Sequence, residues 1–438
     1  MSLESRLLQV LEPWRQAPAW KIAFSGGLDS TVLLHLLARL RESHALPPLS
    51  AIHIHHGLQS VADSWVALCR AQCEALGIPL QVRHVKVGEG ASLERAAREA
   101  RYAAFAELLG AGEVLLTAQH RDDQAETLLL RLLRGAGVRG LAAMPAIRPL
   151  AAGRLLRPLL GMTRVELETW ATREQLAWVE DPSNLDIRLA RNFLRHEILP
   201  RLAQHWPAAG AVLARDAEQL AEADDLLGEL AELDLAAARL AAEPAWLALP
   251  SLALAPLLAL SEARQRNALR HWLRALTRLP EREHWAGWVD LRDARGDAEP
   301  VWRLEGGELR RAGGRLWWLN GDWLQAPPPS AVDWSDPARP LPLPGNGRVR
   351  LEGALPGRPL QIRYRQGGEV LELLGRGRRD LKRLLQESGL PAFVRTRLPL
   401  LHAGGELLAV ANLPGLQARL QPALRLVWES PTAGPGLS

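Results

Sequence analysis

The chain is short of cysteine and lysine and has no long apolar run, and each shortage closes a class of function. Only Cys69 and Cys73 occur in 438 residues, four apart on a helical pattern. A disulfide across one helical turn is geometrically poor, and two thiols alone cannot complete a structural zinc site. Both are therefore expected as packed helix residues. No apolar stretch approaches the roughly 20 residues that cross a bilayer. The N-terminal MSLESRLLQVLEPW carries charges where a secretory signal would have its apolar core. The expectation is a cytoplasmic protein with no membrane partner. Lysine is confined to Lys21, Lys86 and Lys382, against 53 basic residues in all. Such arginine dominance, beside abundant Ala, Leu and Gly, reads as coding bias, so a lone arginine means little and distribution says more.

That distribution is uneven. Residues 1–215 hold 25 basic and 21 acidic side chains, a net of +4; residues 216–345 hold 14 and 21, a net of −7; residues 346–438 hold 14 and 7, a net of +7. A basic terminal module suits a polyanionic partner. The length suggests two to three domains. Short apolar runs at 21–24, 49–53, 80–84, 114–117 and 155–156 alternate with helical patterns at 28–41, 62–76, 92–109 and 122–134. This alternation predicts an α/β domain with an open parallel sheet covered on both faces, ligands lying beyond the carboxyl ends of the strands. It occupies residues 1–205. Residues 206–325 read as an acidic, mainly helical module with hairpin-like runs near its end, and 326–347 as a Pro/Gly-rich linker. Residues 348–430 read as a small basic α+β domain. The acidic helical region suits either a homodimer contact or packing between domains.

The predicted domain is organised around Ser25-Gly26-Gly27-Leu28-Asp29-Ser30, which lies between the first strand and the first of these helices. Such a loop turns backbone N–H groups toward one point at a positive helix terminus and cradles an anion. Gly26 and Gly27 allow close approach, and Ser25 and Ser30 add hydroxyls. A carboxylate inside a phosphate cradle is repulsive unless a metal bridges it to the phosphate, so Asp29 reads as a Mg²⁺ contact.

Further chemistry is spread along the chain. In His120-Arg121-Asp122-Asp123-Gln124-Ala125-Glu126-Thr127, Asp122 and Glu126 share a helical face near its start, where two carboxylates can share a divalent metal with nucleotide phosphates. His53, His55 and His56 close the second strand; His55 and His56 point to opposite sides, which favours a polar loop lining the nucleotide over a metal site. Arg98, Arg101 and Tyr102 lie on one helix, where guanidinium and ring suit a nucleobase or phosphates. Arg191 and Arg195 stand one turn apart, a spacing suited to gripping phosphate. The densest basic cluster, Arg376, Arg378, Arg379, Lys382 and Arg383, enters a helix and suits a nucleic-acid backbone.

These segments resemble a known family. SGGLDS resembles the loop of N-type ATP pyrophosphatases, whose domain is adenine nucleotide alpha hydrolase-like. The set AFSGGLDSTVLLHLL, IHIHHGL, ARYAAFAELL, LLTAQHRDDQAETLLLRLLRGAG, RPLLGMTR, VEDPSN and RNFLRHEILP closely resembles the tRNA(Ile)-lysidine synthases, and GRGRRDLKRLLQESGLPAFVR resembles their C-terminal module. Asp380 departs from the basic residue expected there. The resemblance implies that ATP adenylates O2 of the wobble cytidine in isoleucine tRNA with a CAU anticodon, that free L-lysine then displaces AMP at C2, and that decoding shifts from AUG to AUA. It further implies Ser25, Gly26, Gly27, Leu28, Asp29, Ser30 and His55 around ATP, and Mg²⁺ on Asp29 and Asp122. Glu126 lies near this centre as metal ligand, general base or lysine-ammonium partner, with Arg191 and Arg195 on tRNA or phosphate. Arg98, Arg101, Tyr102, Arg376, Arg378, Arg379, Lys382 and Arg383 are expected on tRNA. The rival on the same loop is thiolation of a tRNA base, which needs a thiolate or an iron–sulfur cluster; neither cysteine is expected beside the loop. A protein that only binds ATP and tRNA is the rival of a different class, and the intact loop and carboxylates speak against it.

Overall fold

The computed structural model describes residues 1–438 except 58–61, 89–92, 241–243, 281, 296–297, 328–329, 355–356, 374–375, 419–422 and 432–438. The expected helix start at Ser92, and Gly375, which opens the segment GRGRRDLKRLLQESGLPAFVR, lie outside the described residues. The chain forms two compact units, 1–225 and 226–438. Among the described residues no helix is long and apolar enough to cross a membrane.

The first unit is the expected α/β sheet. Strands β1 (Trp20–Ala23), β2 (Leu49–His55), β3 (Leu80–His84), β4 (Val114–Leu116), β5 (Ile147–Leu150) and β6 (Gly153–Leu156) lie in the order β3-β2-β1-β4-β6-β5. All neighbours are parallel except β5, which runs antiparallel to β6. β5 escaped the sequence reading because it is an edge strand, with Pro149 in it and one side open to solvent. Helices α1 (Leu3–Leu11), α2 (Leu28–Ser43), α3 (Ala62–Ala75), α4 (Leu93–Leu108) and α5 (Arg121–Leu132) cover the faces. α2 is the core helix: Leu28, Val32, Leu33, Leu34, Leu36, Leu37 and Leu40 are all buried against Trp20, Ile22 and the helix Arg164–Arg173. Each such leucine contributes about 1.5–3 kcal/mol, which fixes the start of α2 firmly beneath the loop at 24–27. Phe105 of α4 and Leu109 just past its end pack on Ile52, Leu115 and Leu155 of the sheet.

Two later segments shape the carboxyl edge of this sheet. Thr163 and Glu166 form a reciprocal cap, the Thr163 hydroxyl accepting from the Glu166 N–H (3.1 Å) and Glu166 accepting from the Thr163 N–H (2.6 Å). That cap starts the helix Arg164–Arg173. Further on, Ala190–Phe193 runs through a π turn, Leu194–Ile198, into Leu199–His205. Pro200 explains the wide turn, since its ring would meet the carbonyl four residues back in a continuous α-helix.

The second unit joins what the sequence separates. Strands Ser251–Ala253, Arg315–Asn320, Gly307–Ala312 and Val301–Leu304 form one antiparallel sheet, against which the helix Glu262–Leu273 and Trp288 pack. The stretch expected as a linker, 326–347, is largely built structure: Val332–Trp334 pairs with Leu360–Arg363, and Leu341–Pro342 pairs with Arg348–Glu352. Trp334 and Leu343 are buried in a core that also holds Leu247, Trp317, Trp323 and the C-terminal Phe393, Leu401 and Trp428. Buried Asn346 accepts from Arg397 Nε (3.1 Å) and donates to the Arg397 carbonyl (2.9 Å). Pro337 and Pro344 sit in turns and Pro342 on an edge strand, so they punctuate the strands without loosening the chain.

Candidate active site

β1 ends at Ala23, and three residues later Gly26 takes φ +83°, a conformation that disfavours any side chain. Its carbonyl accepts from the Val179 N–H (2.9 Å), and a Cβ placed there would meet Cys69 Sγ at 2.9 Å. The serines brace the turn. Ser30 Oγ donates to the Gly27 carbonyl (3.0 Å) and accepts from the Ser25 N–H (3.2 Å), while Ser25 Oγ accepts from the Gly27 N–H (3.3 Å). Thr31 N–H is the first to bond back into α2, to Gly27 (3.0 Å), so the amides at 28–30 open the positive end of the helix. Below the loop, His53 Nδ1 lies 2.9 Å from the Phe24 carbonyl and 3.5 Å from Cys69 Sγ.

Cys69 therefore does lie under the loop, against expectation, because α3 packs directly beneath Gly26. It offers no thiolate. Both cysteines are free and buried, and burial pushes the Cys69 thiol up to about 12 and the Cys73 thiol up to about 11.

Asp29, in the first turn of α2, meets the start of α5. His120 Nε2 is 3.7 Å from Asp29 Oδ2, and its Nδ1 is 3.4 Å from Asp122 Oδ2, so one buried imidazole stands between the two carboxylates. Arg164 joins them, its N–H bonding Asp122 Oδ2 (2.9 Å) and its guanidinium standing 3.7 Å from Asp29 Oδ2. Burial opposes charge on all three groups, with different results. It prevails at Asp29, whose carboxyl is raised above its ordinary range despite His120 and Arg164. At Asp122 the His120 ring and the Arg164 N–H outweigh burial and hold the carboxyl at about 2. At His120 the surrounding carboxylates win and the imidazole is raised. Asp29 Oδ1 is buried with no hydrogen-bond partner among the described residues.

Glu126 sits elsewhere on α5. It is 1% exposed, and Arg195 grips both oxygens, Nε to Oε1 at 2.6 Å and Nη2 to Oε2 at 2.9 Å. Arg191 Nε lies 3.1 Å from Oε2, and its Nη2 donates to Thr127 Oγ1 (2.7 Å). Arg195 also bonds Asp123 Oδ1 (3.1 Å). Burial raises the Glu126 carboxyl and the arginines pull it down, with a net rise. Asp122 and Glu126 thus serve different partners, and both expected phosphate-gripping arginines are engaged with carboxylates.

The remaining candidates take these places. His55 closes β2 with its ring against His84 (centroids 4.6 Å apart). Arg98 and Tyr102 do share a face of α4, the guanidinium lying 4.8 Å from the ring centroid, and Arg101 is half-buried beside them. In the second unit, Arg378 and Arg379 lie on the hairpin strand Gly377–Asp380, and Lys382 and Arg383 on the helix Leu381–Glu387. Asp380 is the cap of that helix, accepting from the Arg383 N–H (3.1 Å), which is a structural reason for an acid there. Arg376 and Arg383 both reach Glu387 (3.5 and 3.2 Å). Asp123, Thr127, Arg148, Arg157 and Arg164 did not stand out in the sequence as site residues. Arg157 and Arg164 bracket the RPLLGMTR segment, and the Thr-x-x-Glu cap beginning at Thr163 was the signal that could have placed Arg164 at a helix start.

Comparison with known proteins matches this arrangement to three family models: a PP-loop domain over residues 1–202, a TilS substrate binding domain over 252–317 and a TilS substrate C-terminal domain over 360–428. The tRNA(Ile)-lysidine synthase of Pseudomonas aeruginosa is 64% identical over 100% of this chain and 99% of its own length. That of Alkalilimnicola ehrlichii is 46% identical over 97% of this chain and 96% of its own, and that of Escherichia coli O157:H7 42% identical over 89% and 91%. With the phosphate loop, the paired carboxylates and identity of this order along the full length, the chain belongs to the tRNA(Ile)-lysidine synthase family.

Proposed function

We propose that this enzyme adenylates O2 of the wobble cytidine in isoleucine tRNA bearing a CAU anticodon, and then joins free L-lysine to C2 to form lysidine. O2 attacks the α-phosphorus of ATP, the bond to the bridging oxygen breaks, and pyrophosphate leaves. An amine of lysine then attacks C2, and AMP departs carrying the former O2. ATP activation falls to residues 1–205, and the basic module at 348–430 grips tRNA. The cytoplasm, where ATP, lysine and tRNA meet, is its place of work.

One observation carries the reading: a buried, unpartnered carboxylate oxygen, Asp29 Oδ1, at the mouth of a loop shaped for phosphate. Asp29 beside phosphate needs a cation, and Asp122, held ionised by His120 and Arg164, completes a pair that fits Mg²⁺. Among the described residues no three His, Cys, Asp or Glu side chains form a metal cage of their own, which agrees with a cation that takes the rest of its ligands from phosphate and water. Bound there, Mg²⁺ would neutralise charge building on the phosphates. The loop amides and the start of α2 hold the leaving pyrophosphate. Glu126, filled by two guanidiniums, is removed from the metal set; it becomes a lysine-ammonium partner or general base only when one of them moves away. Inert, buried Cys69 and Cys73 speak against a thiol-borne sulfur reaction.

The test uses purified full-length protein with labelled L-lysine, ATP, Mg²⁺ and unmodified isoleucine tRNA. Lysine should enter the tRNA with release of AMP and pyrophosphate. Label entering from a sulfur donor, with none from lysine, would overturn the reading.

A further inference from the structure

At the carboxyl end of β6 the chain gathers guanidiniums around a single tyrosine. Arg98 lies 4.8 Å and Arg148 4.9 Å from the centroid of Tyr102. Arg157 meets the Tyr102 hydroxyl; burial opposes charge on that phenol, but Arg98, Arg157 and the neighbouring Arg101 hold it below its ordinary range. Arg157 is only 3% exposed, donates to the Pro145 carbonyl (2.6 Å), and leaves Nε buried with no hydrogen-bond partner among the described residues. Among those residues, no carboxylate lies within ion-pair distance of Arg98, Arg148 or Arg157. Converging cations without a counter-ion are costly, and a protein retains them where a ligand supplies the anion.

The place identifies that anion. Arg148 is opposite Leu155 on the β5–β6 ladder, and Arg157 follows Leu156, whose carbonyl accepts from Thr117, three residues before His120. The cluster therefore stands on the same edge as SGGLDS, with β4 between. Two strand spacings separate them, roughly 10 Å. ATP phosphates have their own cradle at the end of β1, so the anion two strands away belongs to another substrate, and converging guanidiniums suit a tRNA phosphate better than the single carboxylate of lysine. With Arg98 and Arg148 on its ring and Phe105 at its edge (6.2 Å), Tyr102 is a mount for cations rather than a free platform for a base.

We propose that Arg98, Arg148 and Arg157, mounted on Tyr102, seat a backbone phosphate of the tRNA next to the nucleotide being modified. This rests on the tRNA reading above and adds Arg148 and Arg157 as phosphate contacts, with Tyr102 as the positioning residue. The experiment measures tRNA affinity against salt, and KM for ATP, in the full chain carrying Arg148→Gln, Arg148→Lys, Tyr102→Leu or Tyr102→Phe. Losing one phosphate contact should flatten the slope of log affinity against log salt by about 0.7–0.9 in Arg148→Gln. Its affinity at low salt should fall about tenfold, with KM for ATP unchanged. Arg148→Lys should restore the slope. Tyr102→Leu should weaken tRNA binding, and Tyr102→Phe, which keeps the ring, should recover most of it. An unchanged slope in Arg148→Gln, with wild type still lysylating tRNA, overturns the seat and leaves the function standing. A raised KM for ATP with unaltered tRNA binding assigns the cluster to ATP and also overturns it. A wild-type chain that modifies no tRNA overturns the function, and the seat with it.

Discussion

Asp29 and Asp122 are the same residue type on the same site, yet their surroundings drive them in opposite directions. Burial raises Asp29, so the stability of its protonated form is present below the ordinary 3.8 and lost as pH rises through the raised value; its charge is a burden at neutral pH. The His120 ring and the Arg164 N–H outweigh burial at Asp122, so its contribution is present above 3.8 and lost as pH falls toward about 2. Asp29→Asn should therefore stabilise the protein at neutral pH by about 1 kcal/mol, a rise of roughly 2–4 °C in Tm, while abolishing adenylation. A calorimetric scan beside an adenylation assay checks both, and a lowered Tm would mean that Asp29 holds the fold. Asp29 stood out in the sequence because a carboxylate inside a loop shaped for phosphate has few structural uses. The sequence left the role of Glu126 open and hid its partners, since four residues on a helix share a face but stand about 6 Å apart along it, far enough for Glu126 to find Arg191 and Arg195 while Asp122 finds His120 and Arg164. No spacing in one strand of sequence reveals arginines that arrive 65 to 69 positions later.

At the scale of elements, alternation of apolar runs made the parallel sheet and its helices readable almost to the residue. β5 was hidden by its edge position and Pro149, and the π turn by its dependence on Pro200 within a helical pattern. The loop between β1 and α2 is held from below by α3 as much as by its own glycines. Gly26→Ala would combine a positive φ with a Cβ 2.9 Å from Cys69 Sγ. Such a backbone position costs about 1–3 kcal/mol when a side chain is forced on it. The variant should lose that much stability in urea unfolding and show a raised KM for ATP. Adding Cys69→Ala should relieve the contact but leave the strain of φ, recovering only part of each. Full recovery would show that the thiol alone dictates glycine there; no loss would show that the loop moves freely.

Across the whole molecule, charge was the most legible property, and the boundary between modules the least. The excess of +7 in residues 346–438 falls partly on the exposed hairpin and helix that carry Arg378, Arg379 and Lys382. The Pro/Gly-rich stretch before it reads as a spacer by composition, whereas Trp334, Leu343 and Asn346 bury it in a core shared with Trp317 and Trp323. Removing 348–438 should consequently expose that core, and the truncated chain should aggregate or lose its cooperative thermal transition. Point changes are the cleaner probe: Arg378→Gln with Lys382→Gln should keep the Tm and flatten the salt dependence of tRNA binding by about 1.4–1.8. A soluble truncation with an intact transition would contradict the shared core.

The most direct measurement of the central claim follows the α-phosphate. With ATP radiolabelled there, Mg²⁺ and isoleucine tRNA, but no lysine, the label should become attached to the RNA, and lysine added later should release it as AMP. Asp29→Asn should leave the RNA unlabelled. Label on lysine or on the protein in place of RNA, or lysine incorporation with no RNA-bound adenylate ever formed, would contradict activation of the base by this site.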